Sequence, residues 1–595
     1  MTRADLAAMP HKARVAARWT LAHMGRYRSL VLLGISILVG IGAGLIVTAI
    51  SWIVHSLQVA MFAIPVAERL SAQINLAHPA MALLPAAGGI LMGVSIVLAR
   101  RFRTRPPVDP IEANAVHGGR MSVRESLIVT GQTIISSSFG ASVGLEAGYT
   151  QMTSGLASNL ASRLKLRRNE VRLLVGCAAA GAISAAFNAP IAGAFYAYEL
   201  VMGIYSVNLL APIVAASVAA SLTASRLGAV QTQIEVGTIP LLTFSDVVPF
   251  LVLGLIGGVV AIGIMRLVGQ VERAYSWLKC PPPVRPMIGG LIVGSLALIT
   301  PQVLSSGHGA LHWQLAESTT LLGLATLFAL KIVASLVSLG SGFRGGLFFA
   351  SLFIGALLGK IFASVLIMTG IAPHMDMTIS AVVGMASLAV GIVGGPLTMT
   401  FLVLETTSDL AISVAVLAAS LVATVFVRET FGYSFSTWRM HLRGETIRSA
   451  HDVGRIRNLT VGSMMRADVK TTGEKTTIAQ FCERFPLGST EKVVVVDGDG
   501  RYVGIALVAE IHSARHETNA ATQPISGLLQ HRDRMLLAGL NAKDAAELFE
   551  KYGSEELAVV DNIKNRKVVG LLTEQYLLRR YAEELDKGWK DLTGD

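Results

Sequence analysis

Three glutamates lie in otherwise apolar stretches of this chain: Glu146, Glu199 and Glu405. A carboxylate in an apolar helix is costly in a bilayer and usually marks a pathway or a pairing site. Glu199 and Glu405 each follow a proline by nine residues and a phenylalanine by four, so that 189–199 and 395–405 match at equal spacing. An internal repeat of apolar segments broken by Gly and Pro predicts a membrane transporter.

Two glycine-rich loops, 140–151 and 340–350, offer chemistry that suits an anion. Glycine lets backbone N–H groups turn toward a ligand. A helix that starts at such a loop adds unpaired N–H donors and partial positive charge. Glu146, at the predicted helix start, is a built-in anion that can occupy the site until protonation frees it. Loops and helix caps packed for close helix contact are an equally open interpretation.

The composition indicates a membrane protein. Of 595 residues, 52% are hydrophobic and only 15% are charged, whereas a soluble domain carries about 25% charged residues. The net charge of +11 is concentrated at the ends of apolar runs, as in 100–105 and 163–168. That placement fits cytoplasmic loops rather than nucleic-acid binding. The three cysteines, Cys177, Cys280 and Cys482, have no metal or disulfide spacing, and no metal site is predicted.

The chain divides into segments of different character. Residues 1–28 are polar and basic and are predicted to be a cytoplasmic N-terminal segment. Two membrane halves follow, 29–226 and 247–440, separated by the polar loop 227–246. Several of their apolar segments fall short of the about 20 residues that cross a bilayer. They are predicted to be re-entrant or broken helices buried within protein, in a multi-pass protein of the cell (inner) membrane.

Residues 446–595 are charged and mixed, as in a soluble domain on the cytoplasmic side. The stretch 493–505 reads as strand, Asp-Gly turn and strand, and 557–572 repeats it. A helical pattern follows each hairpin. Two α/β copies of about 60 residues form a tandem repeat, with predicted boundaries at 458–515 and 522–582.

These features resemble the CLC family of chloride channels and chloride/proton antiporters over about residues 30–440. The motifs that carry the resemblance are 144–148, 187–193, 340–350 and 396–407. It implies a polytopic α-helical fold with an inverted repeat, a homodimer, and one anion pathway per subunit. Residues 458–582 resemble the paired cystathionine-β-synthase-type (CBS) domains that many CLC proteins carry at the cytoplasmic C-terminus.

The resemblance implies that Glu146 is the gate of the pathway. It also implies an anion site formed by Gly144, Leu145, Glu146, Ala147, Leu347, Phe348 and Phe349. Two side-chain donors of the family are replaced. Pro107 takes the place of a serine hydroxyl, and Ser436 takes the place of a tyrosine, unless a one-turn shift puts Tyr433 there. In the family, proline at the first position goes with nitrate preference, so chloride and nitrate both stay open.

The sequence gives conflicting indications about whether anion transport is coupled to protons. Leu200 falls where family antiporters have an inner proton-transfer glutamate, and Glu199 precedes it. Coupling would need water or Glu199. Because one helical residue turns by about 100°, Glu199 is expected to face elsewhere and to cap or pair with a helix end. Proton-coupled exchange through Glu146 and Glu199 is the leading prediction, and an uncoupled voltage- or pH-gated chloride channel is the alternative.

The CBS repeats carry an incomplete nucleotide site. The family's Thr/Ser and Asp pair is represented by Thr573 with Tyr576 in the second copy and by Leu507 with Glu510 in the first. Glu510 and Thr573 are therefore the candidate contacts for an adenine nucleotide. The prediction is that no cofactor is required and that the pair stabilises the structure, with nucleotide regulation as the alternative.

Two functions from other classes are less favoured. A membrane-embedded enzyme needs paired catalytic groups, and the sequence has no HExxH motif and no pair of aspartates in an apolar segment. A cation transporter would suit the three glutamates, but the donors of glycine-rich helix starts suit anions. The sequence thus predicts a transport protein for chloride or a similar anion and for protons, and not an enzyme.

Overall fold

The computed structural model describes residues 11–102, 107–228, 247–316, 319–442, 459–515 and 520–580. It divides into two compact units, Met1–Asp452 and Val453–Asp595. Most of the predicted polar connection between the membrane halves, residues 229–246, lies outside the described residues.

The first half of the membrane unit is helical throughout its described part. Its α-helices are α1 His11–Phe62, α2 Leu84–Phe102, α3 Pro110–Val116, α4 Val123–Ser138, α5 Glu146–Arg163, α6 Arg168–Phe187, α7 Pro190–Tyr196 and α8 Val207–Arg226. Short 3₁₀ turns, Leu70–Ala72 and Pro79–Leu83, connect α1 to α2. A π-helical turn, Ala197–Met202, follows α7.

The second half is helical in the same way. Its α-helices are α9 Val247–Trp277, α10 Arg285–Ala297, α11 His308–Ala316, α12 Leu321–Ser341, α13 Phe348–Met368, α14 Met377–Val393, α15 Pro396–Thr407, α16 Leu410–Thr430 and α17 Phe435–Leu442. A 3₁₀ turn, Pro301–Val303, follows α10. Among the described residues, eight helices are long and apolar enough to cross a membrane. The predicted polytopic fold is confirmed, and α7, α11 and α15 are too short to span.

The two segments that match in sequence, 189–199 and 395–405, also have the same local structure. Helices α6 and α14 end at residues with left-handed backbone, Asn188 (φ 52°) and Gly394 (φ 92°). Pro190 and Pro396 then occupy the first turns of α7 and α15. Proline favours a helix start because its fixed φ is already helical and its missing N–H would have no partner there. Both halves therefore place a short helix at the same point of the motif.

The first membrane helix continues from the polar N-terminal segment without a break. The sequence separates polar residues 1–28 from the apolar segment that begins at 29, but His11–Phe62 is one helix of 52 residues. No proline interrupts this stretch, so the backbone continues from the polar part into the membrane part. The change of polarity lies within the helix and does not end it.

The two halves share one core. Phe187, at the end of α6, packs its ring 5.0 Å from the ring of Phe348 and 6.0 Å from that of Phe349, measured between centroids. Both partners begin α13 of the other half. Helix α13 therefore starts in the middle of the protein, against the first half.

The second unit contains two three-stranded sheets of identical order. They are formed by β1 Thr471–Gly473, β2 Lys492–Val496 and β3 Tyr502–Leu507, and by β4 Met535–Leu537, β5 Glu556–Val560 and β6 Val568–Thr573. In each sheet the first two strands are parallel and the last two are antiparallel. Both hairpins carry a bulge at the same place, Val495/Val496 and Val559/Val560. The two copies of the tandem α/β repeat thus share even the position of their β-bulge.

Helices complete both copies. They are α18 Val461–Met464, α19 Ile478–Arg484, α20 Val508–Ala514, α21 Ala542–Tyr552 and α22, residues 574–580. The packing crosses the predicted boundaries. Val461 lies in the core of the second copy with Phe549, whereas Ile525 lies in the core of the first with Phe481. The copies exchange their leading segments, so neither 458–515 nor 522–582 alone contains a complete core.

Candidate functional site

The two glycine-rich loops meet at the centre of the membrane unit. The amide of Gly144 donates to the carbonyl of Gly346 at 2.9 Å, and the amide of Gly346 donates to the carbonyl of Gly144 at 3.1 Å. Ser338 Oγ accepts from the Ser142 amide at 2.9 Å. These bonds join the halves directly before α5 and α13 begin. Two helix N-termini, each with unpaired N–H donors and partial positive charge, therefore meet at one place.

The Glu146 side chain occupies this place. Glu146 is the first residue of α5 and is only 5% exposed. Its carboxyl group lies close to its own backbone amide and to that of Phe349, on α13. A Cβ atom on Gly144 would lie 2.0 Å from Glu146 Oε2. Glycine is thus required at 144 for the carboxylate to fold back between the two helix starts.

A cavity of about 380 Å³ opens on one side of Glu146. It lies near the start of α3, on the side of the membrane where α2 ends. Six of the predicted anion-binding residues line it: Pro107, Glu146, Ala147, Leu347, Phe348 and Ser436. We refer to it as the inner cavity.

The remaining predicted residues lie near the inner cavity without lining it. Gly144 shapes the loop, and Leu145 faces a second cavity. The Phe349 side chain packs away from Glu146, with its ring 3.5 Å from that of His308 between centroids. Phe349 can therefore contribute its backbone amide but not its side chain.

Of the two alternatives for the family's tyrosine, only Ser436 lines the cavity. Tyr433, which a one-turn shift would put at the family's tyrosine position, does not line the cavity. Tyr433 precedes α17, and its ring lies 4.7 Å from that of His441 and 5.7 Å from that of Trp438. These contacts hold the phenol against α17, while Ser436 in the first turn of α17 faces the cavity.

Sequence reasoning missed four ionisable residues that line the inner cavity: Asp109, Tyr196, Arg344 and Arg439. Spacing could have identified two of them. Arg439 lies three residues after Ser436, and Tyr196 lies four residues before Leu200, so each pair shares a helix face. Arg344 lies in the second glycine-rich loop between Gly342 and Gly345, and the motif itself does not specify a residue type there.

A smaller cavity of about 50 Å³ lies on the opposite side of Glu146. It is lined by the last part of α1, by Arg69 in the turn that follows α1, by Tyr149 and by the segment 305–308. Since α1 and α2 are consecutive spanning helices, the end of α1 and the end of α2 lie on opposite sides of the membrane. Glu146 alone among the described residues lines both this outer cavity and the inner one. Its side chain therefore separates them.

Glu199 and Glu405 have a different arrangement. Glu405 accepts from the amides of Ile191 and Ala192, both at 2.8 Å, at the start of α7. Glu199 accepts from the amides of Leu397 at 2.9 Å and Thr398 at 2.8 Å, at the start of α15. Each repeat thus caps the short helix of the other repeat. Glu199 meets the expectation of a helix-end partner, and its place in a proton pathway stays a prediction.

The CBS candidates are already engaged in local bonds. Glu510 accepts from Gln530 Nε2 at 2.8 Å. Thr573 Oγ1 accepts from the Tyr576 amide at 3.3 Å and so caps α22. Within the described ranges no group of His, Cys, Asp and Glu is arranged to hold a metal ion.

A helical inverted repeat that holds one carboxylate between two cavities defines a membrane ion-transport protein. The comparisons identify its family. The voltage-gated chloride channel (CLC) family model matches residues 88–428, more than half of the sequence, and the chain belongs to this family.

Known proteins agree with this assignment. The putative chloride channel protein ClcB-like of Ralstonia nicotianae is 29% identical over 356 residues, which cover 58% of this chain and 82% of that protein. A slow cyanobacterial Cl⁻/H⁺ antiporter structure superposes with a TM-score of 0.61 at 21% identity, covering 70% of this chain and 98% of that one. A eukaryotic CLC transporter structure has a TM-score of 0.58 at 16% identity and covers 92% of this chain and 98% of that one. The last two comparisons support the fold.

Proposed function

We propose that this chain transports chloride or a similar small anion across the membrane in exchange for protons, and that Glu146 is the gate. One observation carries the proposal: the Glu146 carboxylate lies where the N-termini of α5 and α13 meet, between two cavities. Membership of the chloride channel family supports an anion as the cargo.

The geometry indicates how an anion would be bound. Arg344 and Arg439 line the inner cavity, and fixed positive charge raises the local concentration of anions. The amides at the starts of α5 and α13 then provide donors without a formal cation, a weak but oriented site that suits release. The Glu146 carboxylate competes for these donors as a tethered anion. Protonation removes its charge, so proton binding and anion passage become linked.

The test is flux in liposomes that contain the purified protein, with anion and proton movement measured together. For the wild type we expect a chloride gradient to drive uphill proton movement. In Glu146→Gln, which is uncharged at every pH, we expect chloride flux to persist while proton movement and pH dependence vanish. Glu429→Gln, at the exposed end of α16, is the matched control. A pH dependence that survives in Glu146→Gln would exclude Glu146 as the gate.

Uncoupled conduction is the second candidate. Leu200 lines the inner cavity, at the point where family antiporters place a carboxylate, and leucine does not carry a proton. Glu199 is held by α15 and does not line that cavity. Chloride flux well above background without proton movement in the wild type would favour this candidate over exchange.

Selectivity is proposed to differ from that of family members with both hydroxyl donors. Pro107 and Ser436 line the inner cavity, but proline offers no hydroxyl and serine is shorter than tyrosine. We infer weaker discrimination between chloride and nitrate. The packing of the Tyr433 ring against α17 supports Ser436, rather than Tyr433, as the residue of this site.

Assembly as a homodimer in the inner membrane is also proposed. Helices α8 and α16 expose large apolar side chains, including Leu222 and Leu421, which lipid or a second copy would cover. The basic residues of segment 1–28 support cytoplasmic termini, with residues 1–28 and the C-terminal repeats on that side.

For the C-terminal repeats we propose a CBS pair that stabilises the protein and needs no nucleotide. The bonds that already engage Glu510 and Thr573 support this choice. Adenine nucleotide binding is the alternative. Calorimetry with ATP and AMP on the full chain would decide, since saturable binding would establish the alternative.

A further inference from the structure

The outer cavity has the room and the polar lining to receive a side chain. Its volume is about 50 Å³, and one ordered water needs roughly 10–15 Å³ of such space. Glu146 is its carboxylate, and serine hydroxyls of Ser51, Ser71, Ser305 and Ser306 surround it. The space adjoins the Glu146 side chain directly.

Arg69 is the fixed counter-charge of this cavity. Of the described residues that line it, Arg69 alone carries a permanent positive charge, because a guanidinium does not deprotonate in proteins. Arg69, Glu146 and Tyr149, which lies one turn after Glu146, all line this cavity. The two opposite charges therefore lie around the same small space.

Further titratable groups around the outer cavity make hydrogen bonds. The Tyr149 hydroxyl lies 2.6 Å from Ser51 Oγ, and His55 Nε2 lies 2.7 Å from a backbone carbonyl. His308 Nδ1 bonds to the Ser306 hydroxyl. Behind the cavity, Lys331 Nζ donates to the Ser305 carbonyl at 2.7 Å.

On the inner side of Glu146 the ionisable residues are Asp109, Tyr196, Arg344 and Arg439, which line the inner cavity. Oε2 of Glu146 is buried and has no hydrogen-bond partner among the described residues. The carboxylate is therefore incompletely held in its present position.

The backbone of Arg69 is fixed in place. Arg69 precedes the 3₁₀ turn Leu70–Ala72. In that turn, Ser71 Oγ accepts from the amides of Gly309 at 3.0 Å and Ala310 at 3.3 Å, at the start of α11. A Cβ atom on Gly309 would lie 2.8 Å from the Arg69 Cβ atom. This close approach anchors the turn, so the guanidinium is presented to the cavity from a rigid base.

We infer that Arg69 is a positioning residue that holds the Glu146 carboxylate in an outward position within the outer cavity. The inference rests on the proposed function of Glu146 as gate. When the carboxylate leaves the starts of α5 and α13 it loses their N–H donors, and a buried carboxylate without donors is costly. A guanidinium replaces two donors at once and supplies the opposite charge.

Loss of Arg69 should shift the pH dependence of anion flux in one direction. Arg69 stabilises the outward carboxylate in its charged form, so that part of the opening occurs without a proton. Without Arg69 the outward position is favourable only for the protonated, neutral group. Anion flux should then require a lower external pH.

The test is anion flux in liposomes between external pH 5 and 8 for the wild type, Arg69→Gln and Arg69→Lys. For Arg69→Gln we expect about a tenfold loss at pH 7.5, the size of one hydrogen bond to a charged group, and little loss at pH 5. Arg69→Lys keeps the charge and should restore most of the flux at pH 7.5. Arg120→Gln, at an exposed position, is the matched control.

The double variant Arg69→Gln/Glu146→Gln distinguishes an action of Arg69 on Glu146 from an action on the anion or on the fold. We expect it to equal Glu146→Gln alone, because no charge remains for Arg69 to hold. An equal loss by Arg69→Gln at all pH values, or a loss that persists in the double variant, would overturn the inference and indicate that Arg69 acts on the anion or the fold. An unshifted pH profile would overturn it as well. Failure of the gate itself is distinct, since Glu146→Gln would then keep its pH dependence.

Discussion

The proline-led helices and the glycine-rich loops use the same internal repeat in opposite ways. At the proline-led helices the repeat is reciprocal: Glu199 caps α15 and Glu405 caps α7. At the glycine-rich loops it is broken, because α5 begins with Glu146 whereas α13 begins with Phe348. The symmetric pair satisfies both carboxylates and joins the halves. The asymmetric pair leaves two helix starts around one carboxylate, which a mobile anion can replace.

Of the substitutions at the asymmetric pair of glycine-rich loops, Gly144→Ala should have the largest effect on anion flux. The new Cβ would lie 2.0 Å from Glu146 Oε2, so the carboxylate must leave the helix starts. We expect most of the pH dependence of anion flux to disappear, with raised flux at neutral pH.

The same substitution in a Glu146→Ala background should have little further effect on pH dependence. Gly131→Ala, whose Cβ would meet nothing within 4 Å, serves as the control. If Gly144→Ala kept the wild-type pH profile, the folded-back position of Glu146 would not control flux.

Substitutions at the symmetric pair of proline-led helices should lower the stability of the protein and leave proton coupling unchanged. Glu405→Gln and Glu199→Gln each remove a charged cap from a partly exposed helix start, at a cost of about 1 kcal/mol. We expect both to lower the melting temperature in detergent, and chloride and proton flux per folded protein to change little.

This pair of variants also tests the proton pathway. The two glutamates have matching roles in the repeat, so equal effects indicate a structural role for both. A selective loss of proton movement in Glu199→Gln, with Glu405→Gln unaffected, would place Glu199 in the proton pathway. The two glutamates would then not have equivalent roles.

Pro107→Ser should have the smallest effect. Pro107 lines the inner cavity, and serine would add one hydroxyl donor, worth about 1–3 kcal/mol if it contacts a buried anion. We expect a shift of the flux ratio toward chloride over nitrate. An unchanged ratio would mean that residue 107 does not contact the anion.

The sequence predicted the parts of the site that depend on local chemistry. The glycine-rich loop before α5 placed Glu146 at a helix start, and the matched proline motifs revealed the internal repeat. The expectation that Glu199 binds a helix end was also met, from helical rotation alone.

Other features depend on long-range packing and could not be predicted. No local pattern states that Glu199 and Glu405 cap each other's repeats, because that requires the halves to be docked. The outer cavity is assembled from α1, the turn at Arg69 and the segment before α11, which are far apart in sequence. Tyr433 and Ser436 were indistinguishable by motif, and only the packing of the phenol against α17 separated them.

The central claim is that the Glu146 carboxylate and the transported anion compete for the same helix starts. Calorimetric titration of purified wild type and Glu146→Gln with chloride, at neutral pH, tests it most directly. We expect chloride to bind at least about tenfold more tightly to Glu146→Gln, because a tethered competitor has been removed. Equal chloride affinity in the two proteins would contradict the claim.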